Sequence, residues 1–222
     1  MNRVFLLSPA RAGGRRARIL AGGQATFELA RQTQAGEATL GDVFAFCSGL
    51  YFRGKLSYAK TFARPPAGIP GVQVITPSRG LLPADWRIGV ADLGEFASVE
   101  VSAVHPGFAD PLRRTAEPLA ASGCEVVLLG SIATGKYADC LLPILGNRLV
   151  FPSAFVGRGD MSRGGLLLRC STGGEELSYV PLLGAIRRGQ RPARLPPTDQ
   201  QRRNDPSPKN TSKIPKPRYG PE

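Results

Sequence analysis

Four short apolar runs recur along the chain and predict buried β-strands. They occupy residues 4–7, 72–75, 126–129 and 149–151. Apart from Gln73, every position in these runs is apolar, and the runs do not alternate regularly with polar residues, which is typical of strands covered on both faces of a parallel sheet. The pattern therefore favours a sheet that lies inside the molecule.

Helical periodicity fills the segments between these runs. Residues 39–63 fit either one broken helix or two shorter helices split near Gly49, and residues 111–122 fit another helix. This alternation of strands and helices predicts an α/β fold, a three-layer sandwich with a mostly parallel sheet. Two later runs, residues 166–170 and 177–180, flank a Gly-Gly turn and predict a C-terminal β-hairpin on one edge of the sheet.

The composition changes after residue 186. Residues 187–222 contain ten Lys or Arg against three Asp or Glu, so they carry +7 of the formal net charge of +12, and they are rich in proline. A segment with so few apolar residues cannot offset the entropy of becoming ordered. We therefore expect one α/β domain over residues 1–186 and a disordered, basic, Pro-rich tail over residues 187–222. The tail serves either solubility or weak, salt-sensitive contact with RNA or DNA.

The cysteines and the longest apolar runs exclude two classes of protein. Four cysteines lie far apart, with no Cys-x-x-Cys pair and one histidine in the chain, so we expect no structural zinc site. The sequence names no cofactor and leaves the oligomeric state open. No secretory segment is recognisable, and no apolar run approaches the ~18 residues that a membrane span needs. We expect a reduced, cytoplasmic protein without a membrane partner.

The run at residues 126–129 leads into a glycine-punctuated loop, Gly-Ser-Ile-Ala-Thr-Gly-Lys, at residues 130–136. A buried strand followed by such a loop and a helix presents backbone N–H groups to a phosphate or another anion. The spacing matches the Walker A motif, except that Tyr137 stands where the motif needs the magnesium-binding Ser or Thr. The loop therefore favours an anionic ligand, and a divergent P-loop NTPase remains an alternative.

Three predicted strands end in similar chemistry. In open α/β sheets, ligands bind beyond the carboxyl ends of the strands. Each exit supplies a hydroxyl and a cation: Ser8 and Arg11, Ser78 and Arg79, and Ser131, Thr134 and Lys136. Hydroxyls and backbone amides orient an oxyanion while Arg or Lys neutralises it, so the three exits predict one anion pocket. The alternative is that these are ordinary turn residues.

A second cluster of cations lies on the predicted helix that follows Gly49. Arg53, Lys60 and Arg64 share one helical face, and a set of apolar residues shares another. Between residues 43 and 84 there is no acidic residue. The face is either a solvated side of an amphipathic helix or a surface that follows a nucleic-acid backbone.

A glycine-rich loop is predicted over residues 157–165. Its Arg158 and Arg163 can close over a ligand as a lid, or the segment is a plain connection. Asp160 lies between these arginines, and Asp139 follows Lys136 by three residues. These two carboxylates are the candidate catalytic acids or bases.

Two stretches resemble a pattern found in small uncharacterised α/β proteins of bacteria and phages. Residues 50–55 read Leu-Tyr-Phe-Arg-Gly-Lys, and residues 74–83 join a strand to a Gly-Leu-Leu-Pro turn. In those proteins a Leu-Tyr helix with a lysine precedes a strand and a Gly-Leu-Leu turn, and related domains are similar to parts of enzymes that handle deazapurine bases in tRNA or DNA. The resemblance spans about residues 1–165 and implies nucleobase or nucleic-acid chemistry. It departs at residues 8–11, where such proteins often have cysteine or lysine.

The leading hypothesis is a protein that binds a nucleotide, a nucleobase derivative or a nucleic-acid phosphate at the carboxyl ends of its strands, with base modification or processing as one use of such a site. The expected ligand-binding residues are Ser8, Arg11, Ser78, Arg79, Gly130, Ser131, Thr134, Gly135, Lys136, Arg158 and Arg163. The alternative is a non-enzymatic RNA- or DNA-associated protein that uses the basic helix face and the tail. The sequence leaves open whether the chain is an enzyme.

Overall fold

The computed structural model describes residues 1–193 and 195. Its strands are β1 (Arg3–Leu7), β2 (Ala38–Thr39), β3 (Val72–Thr76), β4 (Gly80–Pro83), β5 (Arg87–Ile88), β6 (Glu125–Leu129), β7 (Leu149–Pro152) and β8 (Tyr179–Pro181). Its helices are α1 (Arg15–Ala21), α2 (Glu28–Ala35), α3 (Leu40–Ser48), α4 (Leu50–Phe62), α5 (Val90–Ser98), α6 (Pro106–Ser122), α7 (Gly135–Leu145) and α8 (Asp160–Gly173). The four strands that the apolar runs predict are confirmed as β1, β3, β6 and β7.

The main sheet has six strands in the order β4-β3-β1-β6-β7-β8. The four central strands are parallel, and β4 and β8 close the two edges in antiparallel orientation. β1 and β6 are paired along their whole length, with Phe5 opposite Val127. β1 and β6 are buried from their second residue onward, which explains their continuously apolar sequences. β2 and β5 form a separate two-stranded ladder.

Helices cover both faces of the sheet. From β1 the chain passes through α4 to β3 on one side, then returns through α6 to β6 on the other side, and continues through α7 to β7. Right-handed crossovers in opposite directions place α4 on one face and α6 and α7 on the other. The ring of Phe5 meets the ring of Tyr58 of α4 edge-on at 5.8 Å. The predicted three-layer α/β sandwich is confirmed, and its doubly wound sheet is Rossmann-like.

Helix α8 packs closely against α4. Gly54 of α4 faces Gly164 of α8, and a Cβ added to Gly54 would lie 2.5 Å from the Gly164 carbonyl oxygen. Nearby, the hydroxyls of Ser57 and Ser171 are hydrogen-bonded at 3.0 Å. This close approach fixes the start of α8 beside the start of α4, next to the candidate site described below.

The prediction is wrong for the first strand of the C-terminal hairpin. Residues 166–170 belong to α8, because the packing of Gly164 and Leu167 against the rest of the core outweighs the strand-like leucine run. The other strand exists as β8, which pairs with β7 at the sheet edge, with Val180 opposite Phe151.

The predicted tail lies largely outside the described residues, which end with residues 193 and 195. Within the described part of the chain, no helix combines the length and the apolar character that crossing a membrane requires. All four cysteines are described, and all are free thiols.

Candidate functional site

A polar cavity of about 250 Å³ lies where β1 and β6 end. The strand order reverses at this pair, and such a switch point is where open α/β sheets bind ligands. The wall consists of Ser8, Pro9, Ala10, Arg11, Ser48, Tyr51, Lys55, Ser131, Lys136, Tyr137 and Asp160. The structure thus brings together five of the residues that the sequence singles out, namely Ser8, Arg11, Ser131, Lys136 and Asp160.

The loops after β1 and β6 stay paired beyond the ends of their strands. The Ser8 amide donates to the Leu129 carbonyl at 3.1 Å. Gly130 is buried so close to Ser8 that an added Cβ would come within 2.9 Å of the Ser8 Cβ. Gly130 therefore sets the spacing between the two loops, and any direct role in ligand binding stays a prediction.

Lys55 is the buried basic group of the site. Its side chain is carried inward by α4, and the residue is 1% exposed. Its Nζ donates to the Ser8 carbonyl at 2.6 Å and to the Ser8 hydroxyl at 2.8 Å. Burial disfavours the charged ammonium and lowers the pKa of Lys55 to about 7, with the Asp160 carboxylate acting in the opposite direction and Lys136 in the same one. In a large fraction of the molecules, the Lys55 side chain is therefore an uncharged amine at neutral pH.

Two buried tyrosines belong to the same wall. The Tyr51 hydroxyl has no hydrogen-bond partner among the described residues. Burial raises the pKa of Tyr51 to about 12. The nearby charge of Arg163 acts in the opposite direction, although the pair does not meet hydrogen-bonding geometry. Burial also raises the pKa of Tyr137, against a smaller opposing effect of the nearby Ser8 hydroxyl. Both phenols are protonated at neutral pH and can donate to a ligand.

The loop after β6 has the predicted strand–loop–helix arrangement. Lys136, in the first turn of α7, lines the cavity, and its Nζ lies 5.1 Å from the centroid of the Tyr137 ring. Tyr137 is buried in the cavity wall at the Walker A position for a magnesium-binding hydroxyl. The site thus offers a cation and a phenol where an NTPase has Lys and Ser or Thr.

The charges on the wall favour an anion. Arg11 and Lys136 are two cations, Lys55 adds a third basic group, and Asp160 contributes a carboxylate. Among the described residues, neither Arg11 nor Lys136 forms an ion pair. Both cations are therefore available to an oxyanion entering the cavity.

Asp160 reaches the cavity from the first residue of α8. Arg163, one turn later, is buried and donates from Nε and Nη2 to the Phe155 carbonyl at 3.3 and 3.0 Å. Its Nη1 lies 3.8 Å from the Asp160 carboxylate. Arg163 therefore holds the start of α8 in place and is not free to close as the expected lid, and residues 160–165 are helix, not loop.

Arg158 lies outside this cavity wall. It donates from Nε to the Ala154 carbonyl at 3.0 Å and from Nη1 to the Ser162 hydroxyl at 3.2 Å. It lines a separate cavity of about 380 Å³ together with Leu50 and residues 191–193. Arg158 thus lies beside the second cavity and not over Lys136, where the sequence predicts it.

Ser78 and Arg79 also lie outside the cavity wall. The Arg79 guanidinium is paired with Glu95 and with Asp92, the latter at 2.7 Å, and Ser78 donates to Glu95 at 2.6 Å. The Arg79 guanidinium holds the pKa of Glu95 below its usual range. The chain turns directly from β3 into β4, and the contacts of this turn with Asp92 and Glu95 direct it toward α5. These two residues stabilise the turn between β3 and β4.

Three residues near the start of α7 occupy other positions. Thr134 is exposed and precedes the helix without a capping hydrogen bond from its side chain. The Asp139 carboxylate folds back against Gly135, where an added Cβ would overlap it. Asp139 is thus exposed beside the helix start, whereas Asp160, the other candidate acid, lies on the cavity wall.

The predicted basic face of α4 is interrupted. Arg53 and Lys60 are exposed. Ser57, between them, packs against Ser171 of α8, and Arg64 lies beyond the end of α4, 3.3 Å from the Glu176 carboxylate. Contact of Arg53, Lys60 and Arg64 with nucleic acid stays a prediction.

Sequence reasoning missed Lys55, Tyr137 and Ser48 as residues of this cavity. A usable signal existed for Lys55: it lies three residues after Phe52 and four before Ala59, which places it on the apolar side of the helix. Lysine is almost never fully buried unless its amine is paired, so a lysine in the middle of an apolar helix face predicts a hydrogen-bond partner inside the fold.

Comparison with protein-family models, with curated proteins and with solved structures finds no match for this chain. Function is therefore inferred from the geometry of the cavity and from its chemistry.

Proposed function

We propose that this chain binds the phosphate of a nucleotide, a nucleobase derivative or a nucleic acid in the cavity at the ends of β1 and β6. The observation that carries the proposal is the convergence of Arg11, Lys136 and Lys55 on one polar hollow at the switch point of the sheet. The Tyr51 hydroxyl, which lacks a partner among the described residues, supplies a donor that a ligand oxygen would satisfy.

The size of the cavity limits which part of the ligand can fit inside it. A volume of about 250 Å³ is smaller than a typical cleft for a drug-sized ligand, which occupies roughly 300–1,000 Å³. The cavity therefore takes the phosphate and the adjoining sugar, and a base or a longer strand extends toward solvent past Arg11 and Asp160. Both residues are exposed at the mouth. The resemblance to deazapurine-handling domains is compatible with a nucleobase in that outer position.

Phosphate binding is expected to depend on the two unpaired cations. Arg11→Ala and Lys136→Ala each remove a charge-assisted hydrogen bond, so each variant is expected to weaken the binding of inorganic phosphate or a nucleoside monophosphate by about 10- to 100-fold. Isothermal titration calorimetry at low ionic strength measures the dissociation constants.

Lys60→Ala is the matched control, because it removes an exposed lysine of α4 that lies outside the cavity wall. Its affinity for phosphate should equal that of the unmodified chain. Equal weakening in Lys60→Ala and Lys136→Ala would mean diffuse electrostatic attraction and would remove the basis for a site.

A second candidate function is non-enzymatic association with RNA or DNA through α4. Exposed Arg53 and Lys60 favour it. Fluorescence anisotropy with a short single-stranded oligonucleotide separates the two functions: Lys60→Ala weakens binding under the second, whereas Lys136→Ala weakens it under the first. The cavity has the more specific geometry, and we therefore favour the first.

A further inference from the structure

The hydrogen bonds of Lys55 match those of an uncharged amine. A neutral amine has two N–H donors and one lone pair, whereas an ammonium ion has three donors. In the described residues, Nζ has two acceptors within bonding distance, the carbonyl and the hydroxyl of Ser8. Both N–H groups are thus held by one residue at the base of the cavity, and the lone pair is left for another partner.

The neighbours of Lys55 supply what an amine nucleophile needs. The rings of Tyr51 and Phe52 lie 4.6 and 4.7 Å from Nζ and exclude water from it. The Tyr51 hydroxyl is buried on the same wall without a partner among the described residues. The Asp160 carboxylate lines the cavity and is also exposed, so it can exchange protons with solvent. A desolvated lysine with a nearby acid is the arrangement in which lysine acts on carbonyl groups.

We propose that the ligand of this cavity carries an aldehyde close to its phosphate, as an open-chain sugar phosphate does, and that Lys55 Nζ condenses with this aldehyde to form an imine. The inference rests on the proposed phosphate site, since Arg11 and Lys136 position the phosphate while Lys55 meets the carbonyl carbon. A lysine that only anchors Ser8 would not require two cations on the same wall, or a buried phenol that lacks a partner among the described residues.

The reaction balances without an oxidant or a reductant. The Nζ lone pair attacks the aldehyde carbon, the C=O π bond breaks, and the oxygen takes a proton to give a carbinolamine. Tyr51 donates a hydrogen bond to that oxygen during attack. The nitrogen gives up both of its protons, and both end in the water. The first passes to the oxygen as the carbinolamine forms. The second passes through Asp160 to the hydroxyl, which leaves as water while the nitrogen lone pair forms the C=N bond. Amine and aldehyde have become imine and water.

Borohydride trapping tests the inference on the full chain. The protein is incubated with 2-deoxyribose 5-phosphate at about pH 8, sodium borohydride delivers hydride to the imine carbon, and peptide mass spectrometry locates the resulting secondary amine. We expect at least ten times more adduct on Lys55 than on Lys60 or Lys136, because an ordinary lysine has a pKa of about 10.4 and is almost wholly protonated at this pH. Inorganic phosphate should compete with the sugar phosphate for the cavity and thereby lower the yield of the Lys55 adduct.

Mapping the adduct in the unmodified chain avoids reliance on a variant that fails to fold. Lys55→Arg keeps a donor beside Ser8 and should give no adduct, whereas Lys60→Arg should give as much as the unmodified chain. An even distribution over the lysines, or no adduct at Lys55 while calorimetry still detects phosphate binding, overturns the imine and leaves the phosphate site intact. A third result is an adduct at Lys55 without phosphate binding in calorimetry and without any reduction of the adduct by added phosphate. That result overturns the phosphate site, and with it a sugar phosphate as the class of ligand.

Two arms distinguish the source of the aldehyde. The first uses free 2-deoxyribose 5-phosphate, and the second uses a single-stranded oligonucleotide that contains one abasic deoxyribose. Trapping in the first arm alone assigns the site to a free sugar phosphate. Preferential trapping of the oligonucleotide assigns it to nucleic acid, in agreement with a ligand that extends out of the cavity past Arg11.

Discussion

Replacing Lys55 with methionine is expected to raise the free energy of unfolding by about 1–3 kcal/mol at pH 6 and to leave it equal or lower at pH 10. Burial lowers the pKa of Lys55 from 10.5 to about 7. Between these two values the unfolded chain binds a proton that the folded chain has released, so the stability of the unmodified protein rises with pH across this window. Below the window, the fold bears the full cost of a buried ammonium.

The sizes of the opposing effects decide the sign. Each pKa unit corresponds to about 1.4 kcal/mol, so the contribution of Lys55 changes by about 4 kcal/mol between pH 6 and pH 10. Methionine removes this cost but leaves Ser8 without two donated hydrogen bonds, a loss of roughly 1–3 kcal/mol. The gain exceeds the loss at low pH and not at high pH.

Urea denaturation of both proteins at several pH values between 6 and 10 measures the difference, in which the titrations of all other groups largely cancel. Lys60→Met is the matched control, since Lys60 is exposed on the same helix, and its difference from the unmodified protein should stay flat with pH. A flat difference for Lys55→Met as well would show that Lys55 is charged in the folded protein.

Gly80→Ala is expected to lower the free energy of unfolding by about 3–5 kcal/mol. Gly80 ends the turn between β3 and β4 with a φ of +69°, in the left-handed region that favours glycine. A Cβ at this position would overlap the Thr115 hydroxyl and the Pro111 carbonyl of α6. Thr115 is itself fixed, because it donates to Pro111 at 2.7 Å and accepts from the Leu81 amide at 2.8 Å.

Gly68→Ala separates the two causes of this loss. Gly68 has a φ of +76°, yet nothing lies within 4 Å of an added Cβ, so it reports the conformational cost alone, about 1 kcal/mol. Thermal or chemical denaturation of the two variants gives the comparison. Equal losses at Gly68 and Gly80 would mean that the packing of α6 against this turn is looser than the structure shows.

The main strands could be read from the sequence because both of their faces are covered. Residues 4–7 and 126–129 needed no knowledge of their neighbours, since a run apolar at every position has few other uses in a short segment. Gly49 likewise marked the boundary between α3 and α4, where its φ is +67°. Helix α8 was mistaken for a strand because Gly164 and Gly165 weaken its helical signal, and its close contact with Gly54 of α4 is a tertiary fact.

The site was predictable where it depends on strand ends and not where it depends on contacts with distant parts of the chain. Ser8 and Lys136 lie together because β1 and β6 are adjacent, but Arg79 lies in the tight turn between β3 and β4, where Asp92 and Glu95 hold its guanidinium. Nothing in the local sequence around Arg79 reveals that the carboxylates of α5 pair with it. Lys55 was missed as a site residue, although its position among apolar residues of α4 indicated burial.

The central claim is that an oxyanion binds beside Lys55 and Lys136, and NMR of the chain with ¹³C-labelled lysine tests it most directly. On titration with inorganic phosphate, the Cε signals of Lys55 and Lys136 should shift along one saturable curve while that of Lys60 stays in place, and the bound dianion should raise the pKa of Lys55. Signals of Lys55 and Lys136 that do not move, or that move no more than that of Lys60, would contradict the account.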